Sequence, residues 1–331
     1  MAELEFRKAI WQALDEELAR DENVIFFGED VAKAGGVFQV TPGLRDRHGE
    51  DRVFDTPISE LALSTAAFGS AVCGLRPVFE IMFADFFALA MDSLVNQAAK
   101  YWYLSNGQAP VPLVVRSAVG GGGRFGAIHS QVPAPWFQAI PGLKIVAPAT
   151  PAHAKGLLKA SIRDNNPVLF FEHKRLYSLS AEVDGSEPEL VPLGSAETVR
   201  EGSDLTIATA MKGVHDSLAA AAELATLGID CEVIDLRTLR PLDIDAVAAS
   251  VEKTGRLLVV EEGPRTGGWA GEVVASISER CLGRLDDCWR LATDDLPLPY
   301  SPPLEDAFLP GTEAIVRAVR ERGGVMPEGA A

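Results

Sequence analysis

Two residues stand where this sequence could do chemistry. Glu60 closes the segment FDTPISE (54–60), in which a short strand passes through a proline turn into a helix, so its carboxyl falls in the first helical turn just after Ser59. Serine followed by glutamate at a helix start serves capping and the helix dipole. The alternative is a carboxylate held at a sheet edge and facing an apolar site. His129 stands near the end of AVGGGGRFGAIHSQ (118–131). Its four consecutive glycines cost folding entropy and belong where a backbone bends sharply or lies against a ligand. A phosphate-binding loop is the competing reading, but GKS/T is missing and GxGxxG would need a helix opening directly after it. A histidine in such a loop is either structural or a proton-transfer group. His48, His153, His173 and His215 occupy ordinary helical, loop or strand-end settings.

Positioning these residues requires a sheet and helices, and the apolar pattern supplies both. Phe6, Ile10, Leu14 and Leu18 recur every four residues and mark one face of a first helix, which the opening MAELEF enters directly. Strands are predicted at 24–28, 76–83, 111–117, 143–149 and 167–173, with helices after Ser59, over 86–104 and from Pro151 to about Arg163. The helix ALSTAAFGSAVCG (62–74) is nearly all small residues, which suits close packing against another helix or subunit. A stretch from Ser178 to Gly194 has no sustained period and reads as a linker. A second series follows it: strands at 204–211, 230–238, 256–263 and 288–293, and helices at about 214–227, after Asp243 and at about 270–281. Continuous Val/Ile/Leu/Phe strands separated by helices predict an α/β fold with a largely parallel sheet covered on both faces. The expected division is residues 1–180, a linker over 181–194, and residues 195–331.

Length and composition narrow the classes. The chain has 331 residues and is 47% hydrophobic, enough for two cored domains. No apolar run of 18 residues occurs, and the start lacks the flavour of a signal or transit peptide, so the expected setting is a bacterial cytoplasm, or an organellar matrix if the chain is processed. Cys73, Cys231, Cys281 and Cys288 have no CxxC spacing and read as buried free thiols. A net charge of −17 excludes a nucleic-acid footprint. Residues 181–331 carry −15 of it. Such acidity serves solubility or a basic partner.

Read together, FDTPISE, GLRPVFEIMFADF, the glycine loop ending in HSQ, IPGLKIVAPATPAHAKGLLKASIRDNNPVLFFEHKRLY and DCEVIDLRTLRPLD resemble the β subunits of the thiamine-diphosphate-dependent 2-oxoacid dehydrogenases, a transketolase-like family acting on pyruvate, acetoin or branched-chain 2-oxoacids. The likeness covers essentially the whole chain. It implies a pyrimidine-binding domain followed by a transketolase C-terminal-type domain. It also implies an α2β2 heterotetramer in which the α subunit holds magnesium and the diphosphate through a Gly-Asp-Gly motif. That motif is absent here.

Carried over by position, the resemblance gives Glu60 the hydrogen bond to the pyrimidine nitrogen of thiamine diphosphate, a task that needs a carboxyl kept out of water so that it can share a proton. Ile58, Met82 and Phe86 match positions packing on that ring. His129 matches the histidine associated with the decarboxylated intermediate and its transfer to a lipoyl group. Leu113, Ser161, Ile162, Asp164 and Asn166 match a potassium site of some members; Asp164 and Asn166 also read as helix-end punctuation. Two departures stand out: a family glycine appears as Thr65, and a family histidine as Ala139. The implied activity is decarboxylation of a 2-oxoacid, pyruvate first, with reductive acylation of a lipoyl group on an acyltransferase core that docks on the acidic second domain. Acetoin cleavage ranks next, favoured by EHKRLYS, and branched-chain substrates third. A self-sufficient transketolase would need the missing motif, and a non-catalytic scaffold would not need Glu60.

Overall fold

The computed structural model describes residues 2–183 and 190–323. It resolves two compact units, one running to Gly194 and including Arg237–Pro241, the other holding Ser195–Leu236 and continuing from Leu242. Fourteen strands are described in chain order: β1 Ala2–Glu5, β2 Val24–Gly28, β3 Val53–Asp55, β4 Arg76–Phe83, β5 Val114–Val119, β6 Lys144–Val146 and β7 Val168–His173, then β8 Ser180–Val183, β9 Glu197–Arg200, β10 Leu205–Thr209, β11 Cys231–Asp235, β12 Thr238–Arg240, β13 Arg256–Pro264 and β14 Asp287–Thr293.

The first unit is built on a seven-stranded sheet of order β12-β6-β7-β5-β4-β2-β3. Six strands are parallel, and β12 pairs antiparallel with β6. Every residue of β5 and β7 is buried, as continuous apolar runs in a sheet covered on both faces must be. The helix Phe6–Arg20 sets Phe6, Ile10, Leu14 and Leu18 into the core along the helix Pro151–Arg163. Each such side chain contributes roughly 1.5–3 kcal/mol by burial. Thr150 starts the second of these helices, its hydroxyl accepting the N–H of His153 at 3.2 Å. The second unit has a five-stranded sheet, β14-β13-β10-β11-β9, parallel except for β9. Its core joins Leu205, Ile207, Val233 and Leu258 of the sheet to Leu224 of the helix Lys212–Ala225 and Ile315 and Val319 of the helix Thr312–Gly323.

The structure departs from the sequence reading at four places. The chain opens as β1, antiparallel to β8, before its first helix, so Ser180–Val183 is a strand where a linker is expected. Residues 184–189 of that linker lie outside the described residues. Residues 237–241, expected in the second domain, belong to the first unit because β12 adds to its sheet edge. The helix expected over 86–104 is a 3-10 turn (Ala84–Phe86), an α-helix (Phe87–Met91), a π-helical stretch (Asp92–Ala98) and a further α-helix (Ala99–Leu104). The four cysteines are free thiols, but only Cys231 and Cys281 are buried; Cys73 is exposed because it follows the last turn of its helix, Glu60–Val72.

Candidate active site

The carboxyl ends of parallel strands form the edge where α/β sheets bind ligands, and the residues in question gather there. Asp55 ends β3 and accepts the N–H groups of Ala32 (2.7 Å) and Lys33 (3.1 Å), tying the loop after β2 to the turn before Glu60. Glu60 is the first residue of the helix Glu60–Val72. Ser59 makes no side-chain capping bond, so the capping role open to this pair is not taken up. Glu60 is half-buried, and among the described residues no donor or basic side chain engages its carboxylate. Glu29, at the end of β2, has its carboxyl pushed up by burial and by the neighbouring charges of Asp30 and Glu60. Glu29, Asp30 and Glu60 therefore lie close enough at this edge to act on one another's charge.

Met82 and Phe86 are half-buried at the end of β4 and just beyond it, whereas Ile58 is 73% exposed in the single chain. Met82 also lines a small cavity with Phe38, Glu80, Arg116 and Tyr177. Behind it lies a buried ionic cluster. Arg116 donates to both Glu172 oxygens (2.8 and 2.7 Å) and to Glu80, and the Tyr177 hydroxyl donates to Glu172 at 2.9 Å. Burial opposes the charge on Arg116, yet the Glu172 and Glu80 carboxylates hold it still more firmly protonated; burial pushes Glu80 up.

His129 is half-buried, with its ring edge-on to Phe83 (4.7 Å between centroids) and Phe86 (5.5 Å). The structure thus unites two sequence-predicted residues, Phe86 and His129, around Phe83, which sequence reasoning missed. The glycine loop needs its glycines: Gly120, Gly122 and Gly126 have φ of +89°, +78° and +72°. Gln131 closes it by donating to Asp85 Oδ1 through Nε2 at 2.8 Å. Ala139, exposed, ends the short helix Ala134–Gln138.

The five residues matched to potassium meet where the helix Pro151–Arg163 ends. The carbonyl of Leu113 accepts from Val168 N–H (2.8 Å) and that of Ser161 from Asp164 N–H (3.2 Å), while Arg76 donates to the carbonyls of Ile162 (2.8 Å) and Asp164 (2.7 Å). Burial raises the Asp164 carboxyl, but bonds from Lys144 and Asn166 outweigh it and hold the group below its usual range. Carbonyl oxygens keep a second lone pair, so the donor set suits a hard monovalent cation. Arg76 and Lys144 already supply positive charge there. Among the described residues, no three His, Cys, Asp or Glu side chains gather as a metal site.

Two family models match the chain, the transketolase pyrimidine-binding domain over residues 2–180 and the transketolase C-terminal domain over residues 194–315. The acetoin:2,6-dichlorophenolindophenol oxidoreductase subunit beta of Cupriavidus necator is 45% identical, covering 97% of this chain and 98% of that protein. The 2-oxoisovalerate dehydrogenase subunit beta of Bacillus subtilis is 44% identical (97% and 99%), and the pyruvate dehydrogenase E1 component subunit beta of Porphyra purpurea 46% (94% of each). The chain belongs to the transketolase-like β subunits of the 2-oxoacid dehydrogenases. A solved split-gene transketolase, described as an inactive β4 tetramer, shares the fold at a TM-score of 0.77 and 21% identity, covering 96% of this chain and 97% of its own. In such a β subunit, Thr65 gains a partner: its hydroxyl lies 2.6 Å from that of Ser93 in the π-helical stretch.

Proposed function

We propose that this chain is the β half of the decarboxylating component of a 2-oxoacid dehydrogenase complex, in the first instance pyruvate dehydrogenase (acetyl-transferring), acting with an α chain as an α2β2 heterotetramer. The observation that carries this reading is the Glu60 carboxylate, unpaired among the described residues, at the carboxyl edge of the parallel sheet, on the same edge as Met82, Phe86 and His129. Thiamine diphosphate, when bound, supplies a nucleophilic carbon and an electron sink. Glu60 holds and exchanges a proton at the pyrimidine nitrogen, and Ile58, Met82 and Phe86 pack against the ring, Ile58 becoming covered only when the α chain is in place. His129 moves a proton as the acyl group passes to a lipoyl sulfur. Magnesium and the diphosphate belong to the α chain, since this one lacks Gly-Asp-Gly.

Cofactor holding falls to residues 1–180, and residues 195–331 dock the acyltransferase core through their acidic surface. Potassium at the turn after Pro151–Arg163 acts as a structural ion there. The setting is a bacterial cytoplasm, or an organellar matrix for a processed chain. Among the described residues no helix is long and apolar enough to cross a membrane. Acetoin is the second reading for the substrate, favoured by the 45% identity to the Cupriavidus necator subunit.

The test is dependence on the α chain. The isolated chain is expected to bind thiamine diphosphate weakly and to be inactive, and addition of the α chain to restore both. Assays with pyruvate, acetoin and branched-chain 2-oxoacids then choose the substrate. Robust turnover by the purified chain alone overturns the reading.

A further inference from the structure

Three consecutive residues at the end of β7 hold the glycine loop at three points. His173 lies directly beneath Gly120, where a Cβ would overlap its ring, and its Nδ1 accepts the N–H of Arg175 at 3.2 Å. Arg175 Nη1 donates to the carbonyl of Gly122 at 2.7 Å, close enough that a Cβ on Gly122 would stand 2.9 Å from that nitrogen. Lys174 donates its ammonium to the carbonyl of His129 itself.

Lys174 is 8% exposed, and its ammonium lies over the rings of Phe83 (5.4 Å) and Phe125 (5.0 Å). Phe83 is also the ring against which the His129 imidazole stands edge-on. Lys174 thus reaches His129 by two routes, through its backbone oxygen and through a shared aromatic wall. A glycine-rich segment left to itself samples many conformations, and fixing its backbone costs conformational entropy. A charge-assisted hydrogen bond and two cation–π contacts in a desolvated place are of the size needed to offset that cost where it matters, at the residue carrying the imidazole.

We propose that Lys174 is a positioning residue for His129: it fixes the end of the glycine loop so that the imidazole is presented for acyl transfer, and it is dispensable for the decarboxylation that precedes it. This rests on the role given to His129 above. The side chain reaches no reacting atom; its effect passes through the loop.

The experiment uses the chain assembled with its α chain and compares Lys174→Met, Lys174→Arg and His129→Ala. Two readouts are taken: amide hydrogen exchange across residues 120–131, and the two partial reactions, decarboxylation with an artificial electron acceptor and acyl transfer to a free lipoyl domain. Lys174→Met is expected to speed exchange in the loop by about tenfold or more. It should slow acyl transfer roughly 10- to 100-fold through kcat while changing decarboxylation less than about threefold. Lys174→Arg, which keeps the charge and a donor, should recover most of both effects. If Lys174→Met fails to assemble, Lys174→Gln supplies the same comparison. Unchanged loop exchange and unchanged acyl transfer in the neutral variant, with transfer impaired in His129→Ala, overturn the positioning role. Normal acyl transfer in His129→Ala instead overturns the role of His129, and loop exchange then still decides whether Lys174 orders the loop.

Discussion

The hydroxyls of Thr65 and Ser93 lie 2.6 Å apart, joining the helix that begins with Glu60 to the π-helical stretch Asp92–Ala98. Ser93 is fully buried, and Thr65 also bonds back to the carbonyl of Leu61 at 2.8 Å. Thr65→Ala leaves a buried hydroxyl without this partner, and the expected loss is about 1–3 kcal/mol in urea unfolding. Thr65→Ala with Ser93→Ala should recover part of it, because no orphaned group remains. Additive losses in the double variant would show that the pair is not coupled.

Glu60 gives the opposite expectation for stability. Because no described donor or cation engages its carboxylate, Glu60→Gln should leave the unfolding midpoint unchanged. Activity with the α chain should fall by roughly two to four orders of magnitude, the range for removing a general acid–base group. A midpoint lowered by several degrees, or activity within tenfold of the parent, contradicts the assignment.

Glu261 makes the second unit sensitive to pH. Its carboxylate accepts the N–H groups of Trp269 and Ala270 (2.9 Å each) at the start of the helix Ala270–Arg280, yet burial outweighs these bonds and pushes the group up to about 7. The folded state therefore binds a proton that the unfolded chain releases near pH 4.5. The associated stability is present in full below that pH and is lost as pH rises to about 7, on the order of 3 kcal/mol. Thermal midpoints between pH 5 and 8 should fall more steeply for the parent than for Glu261→Gln. Parallel curves would place the titration elsewhere.

How much of this was legible in the sequence depended on the range of the interaction. Glu60 could be placed because a proline turn and a helix start are local, and β4 and β13 could be read from their own apolar runs. The β1–β8 pairing could not: Ala2 pairs with Val183 from the far end of the first unit's sequence, and AELE and SAEV, four residues each, are too short for their alternation to announce a strand. Three residues, Thr238–Arg240, were too few to announce that the chain adds an edge strand to the first unit's sheet. Lys174 was invisible for a different reason. A buried cation at a strand end belongs to no period, and its partners, His129, Phe83 and Phe125, come from elsewhere in the chain. The signal within reach was EHKRLY itself, where charges directly follow an apolar strand.

The acidic second domain carries the last expectation. Of the aspartates in and beside β14, Asp287 is occupied by Arg322 through two 2.9 Å bonds, and Asp295 accepts from the Thr266 hydroxyl at 2.6 Å. Reversing either would disturb the fold as well as the surface. Asp286 and Asp294 are exposed and flank the two ends of β14. Exposed acids on this unit suit a small basic domain, attraction setting the rate of encounter. Asp286→Lys with Asp294→Lys should therefore slow association with the acyltransferase about tenfold at low salt and weaken its salt dependence. Decarboxylation with an artificial acceptor should be unchanged. Charge steering is screened beyond about 8 Å at physiological ionic strength, so parent and variant rates should converge as salt rises. If association is insensitive to both salt and charge reversal, the acidity of residues 181–331 serves solubility.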